Sequence, residues 1–111
     1  MITEPYKLYT NSYRNPTSNI DGFVSITSTT IKTETFSHQM LGITVKAKTN
    51  DIYIEFSDDG TNFDNKILLE ADIYAGDAIS LSFACKAVRF SNVVTTGSEN
   101  GKYQLIGWSD E

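Results

Sequence analysis

The chain is poor in the groups that usually announce chemistry. Its 111 residues hold a single histidine, His38, and a single cysteine, Cys85. A lone cysteine closes no intrachain disulfide, so the fold must stand on packing alone. That fits a reducing compartment, or a particle assembled in one. One histidine and one cysteine also fall short of a zinc site. Two prolines and seven glycines leave no room for a low-complexity linker. No apolar run approaches the roughly 20 residues of a membrane-spanning helix. Met1-Ile2-Thr3-Glu4-Pro5 offers neither a basic nor an apolar region, so a signal peptide is not expected. No Asn-x-Ser/Thr acceptor with a permitted middle residue occurs. Basic residues are scarce, nine against fourteen acidic, for a net charge of −5. They are scattered along the chain without forming a stripe, so neither nucleic acid nor an anionic membrane is an expected partner.

What the sequence does have is period-two alternation, which puts alternate side chains on opposite faces of a sheet. Leu41, Ile43, Val45 and Ala47 point one way, and Gly42, Thr44, Lys46 and Lys48 the other. Ile52, Ile54 and Phe56 alternate with Tyr53, Glu55 and Ser57. Asn50-Asp51 between these runs predicts a hairpin over residues 40–56. Asp59-Gly60 is a second turn signal. Further strands are predicted around Ile67–Leu69, Ile79–Phe83, Val88–Phe90 and Tyr103–Trp108. Residues 22–36 are rich in β-branched residues, which favour strand over helix. Helical spacing is absent throughout. The expected fold is all-β: an antiparallel, jelly-roll-like β-sandwich of seven to eight strands. Residues 1–20 carry Tyr6, Tyr9, Tyr13 and both prolines with little alternation. They read as an extended N-terminal arm ahead of a sandwich domain over 21–111.

No acid–base or nucleophile pair emerges. His38 falls at a strand boundary and reads as a surface histidine. Cys85 reads as a small buried hydrophobe. Glu55, Glu70 and Asp72 do not suggest two acids facing across a cleft. Asp58, Asp59 and Asp64 with Asn62 crowd one turn, and such oxygens suit calcium. The EF-hand pattern fails, however, because the glycine comes too soon after Asp58. A turn whose aspartates bond their own backbone amides is the plainer reading. The aromatics are the remaining resource, as platforms for sugars or anchors for proteins. Tyr6, Tyr9, Tyr13, Tyr53 and Trp108 are the candidate partner-binding residues, although Trp108 reads first as a core plug.

The stretch from Ile52 to Phe63, ending Ser57-Asp58-Asp59-Gly60-Thr61-Asn62-Phe63, resembles the discoidin-like, galactose-binding-like β-sandwiches. In these a strand ends in Ser-x-Asp-Gly-x-x-aromatic. Ala87-Val88-Arg89-Phe90 is similar to their Ala-Arg-Tyr-x-Arg strand, and Leu105-Ile106-Gly107 to their closing Leu-x-Gly. The resemblance covers about residues 40–108. It implies turn and core roles for Asp59, Gly60 and Phe63. The chain is shorter than the usual member, lacks its cysteine pair and matches no ligand loop, so no sugar-binding residue carries over. Short, cysteine-poor chains of this pattern also resemble small structural modules of tailed-bacteriophage virions. The expectation is therefore a non-enzymatic virion protein assembled in the host cytoplasm. It would need no cofactor and would bind copies of itself and other virion proteins through strand edges, the arm and tyrosines. The alternative is a carbohydrate-binding module holding a glycan between the loops 58–62 and 95–100.

Overall fold

The alternation is realised strand by strand in the computed structural model, which describes residues 11–17, 19–71, 79–81, 85–96 and 100–109. Among these residues the strands are β1 (Asn11–Arg14), β2 (Val24–Ser25), β3 (Lys32–Met40), β4 (Gly42–Lys48), β5 (Ile52–Ser57), β6 (Ile67–Leu69), β7 (Ile79–Leu81), β8 (Cys85–Asn92) and β9 (Lys102–Ser109). Every pairing is antiparallel. The first sheet runs β1-β9-β4-β7, with β2 also on β9, and the second runs β3-β8-β5-β6. β4 pairs along Lys102–Trp108 on one edge of β9, so β1 and β2 lie end to end on the other. Both sheets are thus four strands wide, and the expected seven to eight strands become nine because one edge is built from two segments.

The chain is an all-β protein of two antiparallel sheets packed in the manner of a sandwich. Ile43, Val45, Tyr103 and Leu105 of the first sheet and Ile52, Ile54, Val88 and Phe90 of the second are fully buried. Burying each such side chain contributes about 1.5–3 kcal/mol. At the centre the Phe90 and Tyr103 rings stack at 3.9 Å, joining β8 to β9.

Two expectations need correction. The 40–56 hairpin does not form. β4 pairs with β9 and β7, β5 pairs with β8 and β6, and the connection crosses from one sheet to the other. Thr49 takes a left-handed φ of 75°, and the Asn50 amide donates to the Lys48 carbonyl at 2.9 Å, so the chain bends sharply. Alternating strands direct their apolar residues to the same core whether they pair or face each other, so the pattern alone cannot separate the two arrangements. The 1–20 arm also ends earlier than expected. Asn11–Arg14 is an edge strand on Ile106–Ser109, and residues 1–10 lie outside the described residues. Beyond Arg14 the buried Asn15 continues the edge: its amide donates to the Leu105 carbonyl at 3.1 Å, and its side-chain oxygen accepts from the Leu105 amide.

Asn92 closes the opposite end. Its side chain donates to the carbonyls of Ile26 at 2.6 Å and Ser28 at 3.0 Å and accepts from the Gly101 amide at 2.8 Å. A Cβ on Gly101 would collide with Ile52 and sit 2.8 Å from the Asn92 oxygen, whereas one on Gly107 would meet the flexible Met40 side chain at 3.0 Å. Gly101→Ala should therefore lower unfolding stability by about 1–3 kcal/mol, and Gly107→Ala by clearly less. Urea denaturation checks the order, and equal midpoints would contradict this packing.

Candidate functional site

The residues singled out from the sequence do not converge. Tyr6 and Tyr9 lie outside the described residues. Tyr13 points between the sheets, where its ring meets Phe36 edge-on at 4.8 Å and its hydroxyl donates to Glu34. Tyr103 donates to the other oxygen of the same carboxylate. Glu34 stands opposite Val88, on the inward side of β3, and so ties the second sheet to both β1 and β9 of the first. Tyr53 lies on the outer face of the second sheet with the Lys66 ammonium 5.1 Å above its ring. Trp108 lies on the outer face of the first sheet, half-buried rather than plugging the core. Tyr53 and Trp108 are thus on opposite sides of the sandwich and cannot share one ligand.

The two outer faces differ in kind. The second sheet is dressed by its own β5–β6 loop. Arg89 grips Glu55 with two hydrogen bonds, at 3.2 and 2.7 Å, while its guanidinium carbon sits 4.1 Å from the Phe63 ring centre. Phe63 therefore covers this face from outside and is not part of the core, contrary to the expectation for it. Asp59 organises the turn: one oxygen accepts from the amides of Thr61 and Asn62, each at 2.8 Å, and from Ser57 Oγ at 2.9 Å. Its other oxygen accepts from the Asn62 side chain at 2.8 Å. These donors, the Asn62 amide foremost, hold its carboxyl well below the usual carboxylate range. Gly60 follows with a φ of 85°, where a Cβ would be strained. Both oxygens of Asp59 are directed at the turn, which is the self-bonded arrangement. Among the described residues no three of His, Cys, Asp and Glu come together as a metal-binding group.

The first sheet presents a face of another character. Inward Tyr13, Ile43, Val45, Tyr103 and Leu105 force their neighbours outward. In register, Ser12, Trp108 and Gly42 form one row and Arg14, Ile106 and Thr44 the next. Gln104 stands beside Lys46, and Ser25, Lys102 and Lys48 form the last row. Arg14, Lys46, Lys48 and Lys102, four of the nine basic residues, thus share one face. No outward position of β1, β2, β4 or β9 is acidic. Basic residues that are scattered in the sequence are gathered in the fold. Alternation alone put Lys46 and Lys48 together, but the β4–β9 pairing that adds Lys102 and Trp108 leaves no local trace.

The other reactive groups are held by the structure. Cys85 is buried, and burial pushes its thiol up to about 11. His38 lies within β3, in the stretch between Thr35 and Met40 where the pairing register shifts. No protein-family model matches the chain, and a search of curated proteins finds no match.

Burial first, then the hydrogen bonds to Glu34 and its charge, raise both Tyr13 and Tyr103 well above the ordinary tyrosine value. Below about pH 10, the ordinary value, folded and unfolded chains both keep these phenols protonated, and their contribution to stability is complete. Above it the unfolded chain releases protons that the folded one retains, so stability falls as pH rises. The urea midpoint should decline as pH passes about 10, and the decline should be shallower in Tyr103→Phe, whatever its stability at neutral pH. An unchanged slope would show that Tyr103 does not contribute.

Proposed function

We propose that this chain is a non-enzymatic structural protein of a virus particle, a head-decoration, fibre or connector piece of the tailed-bacteriophage kind. It acts by protein–protein assembly with copies of itself and other virion proteins. The observation that carries this is the strand order, β1/β2-β9-β4-β7 over β3-β8-β5-β6. Successive strands from β2 to β5 alternate between the sheets, β5 and β6 share one, and β7 to β9 alternate again. That succession supports a jelly roll, two Greek keys folded over one core, the architecture of many viral capsid domains and of lectins. The step from architecture to virion is fold-level analogy.

Further support comes from how the chemistry-bearing side chains are used. Glu55 is paired, Glu34 is clasped by two tyrosines, Asp59 serves its turn and Cys85 is enclosed. Among the described residues the surface available for adhesion includes the outer face with Trp108 and the β6 edge, where Ile67 and Leu68 are about half exposed. Apolar edge strands invite addition by another chain. Tyr6 and Tyr9 belong to the same proposal. For a discoidin-like carbohydrate module, Tyr53 and Trp108 would have to act separately.

Sedimentation equilibrium over a wide concentration range, beside a glycan array, separates the two. Self-association of the full chain without glycan binding is the expected result. Deletion of residues 1–10, sparing β1, should weaken that association while the sandwich stays folded. A monomer that binds a sugar, with the binding lost in Trp108→Ala or Tyr53→Ala, would overturn the assembly reading.

A further inference from the structure

We infer that the outer face of the first sheet receives the β5–β6 loop and edge of a second copy of this chain, so that copies associate head to tail. The inference rests on the assembly reading and names its contact.

The face is unbalanced as it stands. Lys48 and Lys102 are directly opposite across β4 and β9, an arrangement of like charges that costs stability. Asp21 reaches Lys48 only at 3.8 Å in a solvent-exposed pair, and such pairs contribute little. At the other end of the face Trp108 and Ile106 offer apolar surface, and Gly42 beside Trp108 adds no side chain to obstruct an approach. The face therefore has an end of three lysines, Lys46, Lys48 and Lys102, and a more apolar end where Trp108 and Ile106 stand beside Arg14.

Among the described residues another surface has the opposite composition. On the second sheet Asp58, Asp59 and Asp64 are exposed in the β5–β6 loop. The strand that follows exposes Ile67 and Leu68. An anionic stretch beside an apolar edge matches the cationic and apolar ends of the face. The composition of the whole chain agrees: it carries fourteen acidic residues against nine basic, and among the described residues Asp21 is the carboxylate at the border of this face. A second copy is thus an acidic partner always at hand. Because the two surfaces lie on different sheets, the contact is heterologous. It leaves a free face on one subunit and a free loop on the other, and so it propagates to a ring or a filament.

Charge reversal of each surface tests this in the full-length protein. Lys46→Glu with Lys102→Glu breaks the face, and Asp58→Lys with Asp64→Lys breaks the loop. Circular dichroism and urea midpoints establish that both variants fold. In sedimentation velocity the wild type should associate, about tenfold more weakly at high salt than at low salt, since screening acts on exposed charges. Each variant alone should be monomeric. Mixed in equal amounts, they should associate again, because the intact face meets the intact loop and the reversed face meets the reversed loop with their charges exchanged. With Trp108→Phe added to the face variant, the remaining Trp108 should become protected from acrylamide quenching on mixing. Wild-type association by both variants would overturn this contact and leave the assembly reading standing. Two monomeric variants that fail to complement would also overturn it. A wild type that stays monomeric at every concentration would overturn both proposals.

Discussion

The layer between the sheets is held at its centre by one aromatic contact and one carboxylate. Phe90 stacks on Tyr103, and Tyr103 with Tyr13 donates to Glu34. β8 and β9 are central strands, so the stack aligns the two sheets at their middle. The carboxylate then adds the edge strands β1 and β3. A half-buried carboxylate between two sheets is costly unless its oxygens are hydrogen-bonded, and the two phenol hydroxyls satisfy them. Once Tyr13 and Tyr103 point inward, the pleat leaves Ser12, Arg14, Lys102, Gln104, Ile106 and Trp108 no choice but the outer face. The character of that face is thus a consequence of the interior.

The same logic explains why the two outer faces differ. On the second sheet Glu55, Arg89 and Phe63 bind the β5–β6 loop down over the strands, and Asp58 and Asp64 of the loop are exposed. On the first sheet the basic residues sit on the strands themselves. A chain with a net charge of −5 therefore gathers four of its nine basic residues on one outer face. Net charge alone would have hidden this, since an interaction surface is set by which side chains share a face and not by their sum.

Much of the fold was legible in the sequence. Alternation marked the strands over Leu41–Lys48 and Ile52–Ser57 and separated Ile43 and Val45 from Lys46 and Lys48, and a final strand was legible at Tyr103–Trp108. Asp59-Gly60 was legible as a turn because glycine and a short carboxylate meet its geometry directly. The partners of each strand were not legible. β4 finds β9 some sixty residues away, and no local signal distinguishes that from a hairpin with β5. Tyr13 was hidden for a related reason: in a four-residue strand ahead of Pro16 it shows too little alternation to declare a face. Glu34 was hidden because an acid in an alternating, Thr-rich strand reads as solvated unless its tyrosine partners are known.

The double-mutant cycle of Tyr103→Phe and Glu34→Ala, followed by urea denaturation at neutral pH, tests the inter-sheet tie most directly. If the hydroxyl and the carboxylate act as a pair, the loss in the double variant should fall short of the two single losses combined by about 1 kcal/mol or more. Losses that add to within about 0.3–0.5 kcal/mol would mean that the two groups are energetically independent, and the interior would not be organised around Glu34.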